Sequence, residues 1–419
     1  MALIKKPMTG MKDILPKEMQ IRDYLISIIK DTYSKFGFTS IETPAVENIQ
    51  NLSSKQGGEN EKLIFKIMKR GEKLNLETAA SEADLVDGGL RYDLTVPLVR
   101  FYSNNMSELP SPFKALQIGS VWRADRPQKG RFRQFYQCDI DILGEPGNLA
   151  EIELILATTT TLGRIGFKNF KIKINDRRIL KAMAAYSGFA EAEYDNVFII
   201  LDKMDKIGIE GVKAELIEAG YPVEAVEKYV ALFDGIYAAE NGLTYVAEAI
   251  TDYLDAEVRE GLQEIIDSVE GTKTCAFDIV FDPTLVRGMS YYTGTIFEIE
   301  VPEFGSSVGG GGRYDKMVGR FTGNDTPACG FSIGFERIVT ILLDNNFEIP
   351  NQGEKIAFLI EKGIQADMLC DIIKEAQKLR SEGKNVLVVR MNKNKKFQKE
   401  QLEKEGYTEF KDFYKNPLK

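Results

Sequence analysis

Two strand-like runs, FKALQIGSVWRAD (113–125) and RFRQFYQCDIDIL (131–143), are separated only by the break RPQKG. A connection that short, with Pro127 and Gly130 as turn signals, predicts an antiparallel hairpin, because parallel neighbours need a long crossover. Every second position of the later run puts Arg131, Arg133, Phe135, Gln137, Asp139 and Asp141 on one face. The other face, with Phe132, Gln134, Tyr136, Cys138 and Ile140, is more apolar. Arg123, Arg131 and Arg133 can aim guanidinium forks at phosphate oxygens. Farther along, Gln137 and Asp141 can hold a cationic or hydrogen-bonding group, and Phe135 offers a ring for a base. A ladder of surface ion pairs fits the same residues equally well.

With 419 residues the chain exceeds one compact core, so two or three domains are expected. LPKEMQIRDYLISIIKDTYSKFGF reads as an amphipathic helix, with Pro16 near its start and Gly37 as its stop. LRYDLTVPLVRFY reads as a strand, and NLAEIELILATTTTLGRIG returns to helix. Residues 181–268 are mostly helical and acidic, as expected of an inserted helical unit. Strands resume with CAFDIVFDP and SYYTGTIFEIEV, and ACGFSIGFERIVTILLD is a glycine-bearing strand running into a helix. NNFEIPNQGE supplies a linker over 346–354, and 355–419 reads as a small β-α-β-α unit.

Composition removes several chemistries. No run approaches eighteen apolar residues and the start has no secretory apolar core, so the expectation is a cytoplasmic protein without membrane contact. Cys138, Cys275, Cys329 and Cys370 form no C-x-x-C pair, which speaks against a zinc site or a disulfide framework. Histidine is absent, which excludes imidazole acid–base work and histidine-ligated metals. The net charge is −9, yet 355–419 carries fifteen Lys/Arg against ten Asp/Glu. That asymmetry points to a polyanion near the C-terminal end, or to a solvated lysine-rich helix face.

Three further stretches carry chemistry. LVRGMSYYTGTIFEIE brings Arg287 close before a strand containing Tyr291 and Tyr292, a pair that is equally at home in a core. GGGGRYD (309–315) permits close backbone approach, but it is neither a Walker A loop nor a dinucleotide fingerprint. In GFSIGFERI, Arg337 enters a helix just after a glycine-bearing strand.

Taken together, these blocks resemble the class II aminoacyl-tRNA synthetases, and within them the histidyl-tRNA synthetase family. GFTSIETPAVE, with Pro44, resembles motif 1 of the dimer interface; WRADRPQKGRFRQFYQ resembles motif 2, and GFSIGFERI motif 3. LVRGMSYYTGTIFE and GGGGRYD resemble the two histidine-specific signatures, and the likeness runs over about residues 8–345. The resemblance implies an α+β fold: an antiparallel sheet flanked by helices over 1–180 and 269–345, a helical insertion, and a small C-terminal α/β domain of the anticodon-binding type. It also implies roles. Arg123 and Arg287 would contact the ATP α-phosphate, and Arg337 and Phe135 would sandwich the adenine. Asp93, Thr95 and Gln137 would hold the α-ammonium of L-histidine, Asp141 and Tyr292 its imidazole, and Tyr291 and Tyr314 would line the pocket. Gln128 would face the acceptor end of tRNA(His). ATP is then the co-substrate, with Mg2+ held mainly by its phosphates and no metal held by the protein.

The chain departs from the pattern in having Asp93 and Asp141 where glutamate is common, Ser290 where aspartate or glycine is usual, and a short C-terminal unit. The short tail also resembles the synthetase-like regulatory subunit of short-form ATP phosphoribosyltransferase, which keeps the fold without the catalysis. Because activation and transfer need no protein histidine, the histidine-free composition suits the enzyme. It would also let the chain be made when histidyl-tRNA is scarce.

Overall fold

A computed structural model describes residues 3–53, 60–127, 132–286, 291–302, 306–350 and 353–416. The described residues group into two compact units, 1–14 with 22–345 and 15–21 with 346–419. The first half of the chain runs α1 (Pro16–Lys35), β1 (Thr39–Ser40), β2 (Val46–Asn48), α2 (Ile49–Leu52), β3 (Lys66–Met68), β4 (Val86–Leu90) and α3 (Thr95–Asn105). The hairpin β5 (Phe113–Trp122) and β6 (Gln134–Leu143) follows, then α4 (Leu149–Ile165) and β7 (Phe170–Asp176). Helices α5 (Arg177–Ser187), α6 (Tyr194–Leu201), α7 (Met204–Glu218), α8 (Val223–Ala238), α9 (Gly242–Ala249) and α10 (Ala256–Thr272) come next. The first unit closes with β8 (Phe277–Phe281), β9 (Thr295–Val301), β10 (Ser306–Arg313), α11 (Lys316–Thr322), β11 (Ala328–Ile333) and α12 (Phe335–Asp344).

One sheet dominates, in the order β1-β5-β6-β11-β10-β9-β7-β8. It is antiparallel from β5 through β7, and only the two edge pairs, β1 with β5 and β7 with β8, are parallel. The antiparallel hairpin is present with Phe135 opposite Val121 and Asp141 opposite Ala115. The six helices α5–α10 lie in the chain between the parallel neighbours β7 and β8, where a long crossover is required. Helices α4, α10 and α12 pack on the sheet. The fold is mixed α and β, with a large, mainly antiparallel sheet flanked by helices. No described helix is long and apolar enough to cross a membrane.

Two local expectations are corrected. The segment TVPLVRFY is helix α3, not strand. The Asp93 carboxylate accepts from the Val96 amide at 3.1 Å, and Pro97 sits in the first turn, where it has no helical hydrogen bond to lose. Tyr291 and Tyr292 precede β9 rather than forming part of it. GGGGR, the stretch that permits close backbone approach, lies in strand β10, where Gly309–Gly312 pair on both sides, with β9 and β11.

In the second unit β12 (Lys355–Ile360), α13 (Ala366–Ser381), β13 (Asn385–Arg390) and α14 (Lys395–Lys404) follow the expected β-α-β-α order. A further strand, β14 (Glu409–Phe413), adds to the other edge of β12, and all pairing is parallel. The central strand is buried on both faces: Ile356, Phe358 and Ile360 pack with Ile372 and Ala376, and Ala357 and Leu359 with Leu402. Both Lys395 and Lys399 reach Asp412, at 2.9 and 3.0 Å.

Candidate active site

The site is built on one face of β6. Phe135, Gln137, Asp139 and Asp141 alternate along it, and their cross-strand partners on β5 are Val121, Gly119, Gln117 and Ala115. On the other side Asp141 pairs with Gly330 and Asp139 with Ser332 of β11. The glycine is needed there. A Cβ at Gly330 would lie 1.9 Å from Asp141 Oδ1, so any larger residue would evict the carboxylate. Next to it, a Cβ at Gly312 would lie 3.1 Å from the Tyr292 ring and 2.6 Å from the Thr295 carbonyl.

Asp141 is 3% exposed and accepts a 2.6 Å hydrogen bond from the Tyr314 hydroxyl. Burial pushes its carboxyl up to about 7, with the Tyr314 bond pulling the other way and Asp93 adding to the rise. Tyr314 is buried, and its ring stands edge-on to Tyr291, 6.1 Å away. Tyr291 in turn meets Tyr292 at 4.8 Å, and both pack on the cluster that holds Tyr92, Val96, Val99 and Phe113.

Asp93 stands in the turn between β4 and α3, just before Thr95, the half-buried first residue of the helix. One of its oxygens caps α3, and the other, Oδ2, is buried without a hydrogen-bond partner. Burial raises its carboxyl, opposed by the Val96 amide and the Arg123 charge. Gln137 Oε1 and Asp139 Oδ1 are likewise buried acceptors with no donor. Three buried acceptors that lack a protein donor can be met by the N–H groups of a ligand.

Arg123 ends the facing strand. Its Nε donates to the Tyr92 carbonyl at 2.8 Å, and its guanidinium lies 5.2 Å from the centre of the Phe135 ring. Arg133 donates from Nε to the Asp125 carbonyl at 3.0 Å, and its amide reaches the Gly10 carbonyl at 2.7 Å. Arg337 lies in the first turn of α12, is exposed, and donates to the Ser307 carbonyl. The sheet face therefore carries Phe135, Gln137 and Asp141, with Asp93, Arg123, Tyr291, Tyr292 and Tyr314 around it. Arg287, Gln128 and Arg131 lie outside the described residues.

Two further groups belong to the surroundings. Asp139 was visible in the alternation of the sequence but carried no assignment. Glu336 of α12 was not singled out: it pairs with the buried Arg22 and accepts from the Tyr136 amide at 3.1 Å, tying β6 to α12. A glutamate beside Arg337 of GFERI is a local signal, but its partner is 314 residues away. Among the described residues no group of three Asp, Glu or Cys stands close enough to hold a metal ion.

Comparison with known proteins gives this geometry a family. The family model described as histidyl-tRNA synthetase matches residues 10–338. The histidine–tRNA ligase of Leifsonia xyli subsp. xyli is 44% identical over 96% of this chain and 94% of its own length. The probable histidine–tRNA ligase of Tropheryma whipplei is 42% identical over 98% and 96%. Among solved structures, histidyl-tRNA synthetase from Nostoc sp. PCC 7120 superposes with a TM-score of 0.78 at 26% identity, covering 97% of this chain and 90% of that one. An ATP phosphoribosyltransferase regulatory subunit/histidyl-tRNA synthetase from Bacillus halodurans C superposes at 0.75 and 19% identity over 99% of both chains, which shows the shared fold alone. The chain belongs to the histidyl-tRNA synthetase family.

Proposed function

We propose that this chain is an ATP-dependent histidine–tRNA ligase that forms histidyl-adenylate and passes the histidyl group to tRNA(His). One observation carries the reading beyond family membership. Asp93 Oδ2 and Gln137 Oε1 are buried acceptors without donors on the same side as the Asp141–Tyr314 pair. An α-ammonium at the first two and an imidazole N–H at the third satisfy all of them, with Thr95 completing the ammonium site and Tyr292 the imidazole site. Tyr291 and Tyr314 wall the pocket.

The histidine carboxylate attacks the α-phosphorus of ATP, the bond to the leaving pyrophosphate breaks, and the adenylate forms. Charge rises on the equatorial phosphate oxygens, and Arg123 and Arg287 stabilise it. One such donor is worth about 3–4 kcal/mol of barrier, or roughly 10²–10³ in rate. The adenine lies between Phe135 and Arg337. In the second step a terminal ribose hydroxyl of the tRNA attacks the acyl carbonyl and AMP leaves, with Gln128 at the acceptor end. Magnesium would arrive with the triphosphate and be held mainly by its phosphates, whose charge it would neutralise.

The larger organisation follows the same reading. Residues 1–180 and 269–345 form the catalytic core, 181–268 the helical insertion, 346–354 the linker, and 355–419 a compact anticodon-binding-like domain. The enzyme works in the cytoplasm as a homodimer through the Pro44 motif. A non-catalytic regulatory role is the less supported alternative, because the relatives at 42–44% identity are named as ligases. Pyrophosphate exchange with each of the twenty amino acids tests the choice. Histidine alone is expected to drive exchange. Silence with every amino acid leaves the regulator, and exchange driven by another amino acid removes the substrate assignment.

A further inference from the structure

Gln137 sits on β6 between two polar neighbours. Its Nε2 lies 3.4 Å from Asp139 Oδ2 and 3.2 Å from Ser332 Oγ, which leaves Oε1 buried and without a donor. A carboxamide has a donor on one side and an acceptor on the other, and its partners decide which way round it lies. Ser332 cannot decide, because a hydroxyl either donates or accepts. Asp139 Oδ2 accepts whether the group is ionised or carries a proton on its other oxygen. On β11 the Ser332 hydroxyl also hydrogen-bonds the Asp139 carboxyl, which leaves its own oxygen to accept from Gln137 Nε2, and from β5 no side chain competes for Asp139. Gln117, its cross-strand partner, donates from Nε2 to the Leu94 carbonyl at 3.0 Å, and its Oε1 lies 3.3 Å from the Thr43 hydroxyl.

We propose that Asp139 is a positioning residue of the amino-acid site: it fixes the Gln137 carboxamide with its oxygen toward the substrate ammonium and its N–H groups turned away. In the flipped state two N–H dipoles would face a cation, and the ammonium would lose an acceptor. Burial, reinforced by the Asp141 charge, holds the Asp139 carboxyl above the usual carboxylate range. The inference rests on the assignment of Gln137 to the ammonium.

Asp139→Asn, nearly isosteric, can offer Gln137 either end of its amide and so no longer enforces one orientation. In histidine-dependent pyrophosphate exchange it is expected to raise KM for histidine about tenfold, the scale of one lost hydrogen bond. The KM for ATP and kcat stay within about twofold. Histidinol, which keeps the ammonium, weakens as an inhibitor by a similar factor, whereas 3-(imidazol-4-yl)propionate, which lacks it, does not. In a Gln137→Ala background the change adds less than twofold. Asp139→Ala is read the same way, with its melting temperature as the folding control. Unchanged histidine KM in both variants, equal weakening of the two inhibitors, or full multiplication of the single effects in the double variant overturns the proposal. A wild-type protein with no histidine-dependent exchange overturns instead the ligase reading beneath it.

Discussion

Asp141 has almost no exposed surface, and one tyrosine hydroxyl serves as its donor. Its carboxyl is raised from 3.8 to about 7 because ionising it in that pocket costs solvation that a single hydrogen bond does not restore. A carboxyl that holds its proton more tightly when folded stabilises the fold fully below its unfolded value and loses that contribution as pH rises through its folded value. The window is therefore about pH 4 to 7, and the contribution lost across it is at most about 4 kcal/mol. Asp141→Asn keeps an oxygen for Tyr314 and cannot titrate. Urea denaturation of both proteins without substrate should show the wild type losing stability relative to the variant across that window, and parallel profiles would remove the assignment. The face that bears Asp141 is legible as a period-two alternation from Arg133 to Asp141. Its partner is not: Tyr314 lies 173 residues away, and no local pattern encodes such a contact.

Elements are placed by groups that sit between them, and Glu336 is one. Its side chain is 10% exposed, it pairs with an Arg22 that is 4% exposed, and it accepts from the backbone of β6. Removing the acid takes the Glu336 contact from the buried guanidinium and the acceptor from the Tyr136 amide, a loss of about 1–3 kcal/mol. Glu336→Ala should therefore lower the urea midpoint markedly, whereas Arg337→Ala, one residue along on the exposed side, should not. Equal midpoints for the two variants would show that the buried pair does not hold α12 to the sheet. Local reading did best where periodicity and stop signals agreed, as in α1, which ends just before a positive-φ Gly37. It failed for α3, whose valines and aromatics favour strand by propensity. There the cap from Asp93 and the burial of Val96, Val99 and Tyr102 at helical spacing prevailed. It missed β14, because EFKDF carries three charged residues and gains its order by pairing along β12.

The chain as a whole is acidic at −9, uses no histidine, and belongs to a family named for histidine. Nothing in the proposed site requires an imidazole: guanidinium is assigned to phosphate, and carboxylates, an amide and tyrosines to the amino acid. Every position can therefore be filled without the amino acid that the proposed reaction consumes. The consequence falls on synthesis rather than on folding. When histidine runs short, ribosomes stall at histidine codons, and a message with none is read through at the usual rate. An enzyme that restores charged tRNA is then still produced while other proteins are held back. Pulse-labelling cells under histidine limitation should show this chain made at close to its unstarved rate, while neighbours of similar length that contain histidine fall several-fold. A variant carrying several surface histidines, expressed from the same promoter, should fall with them. If the natural chain declines as steeply as that variant, the absent residue confers no advantage during starvation.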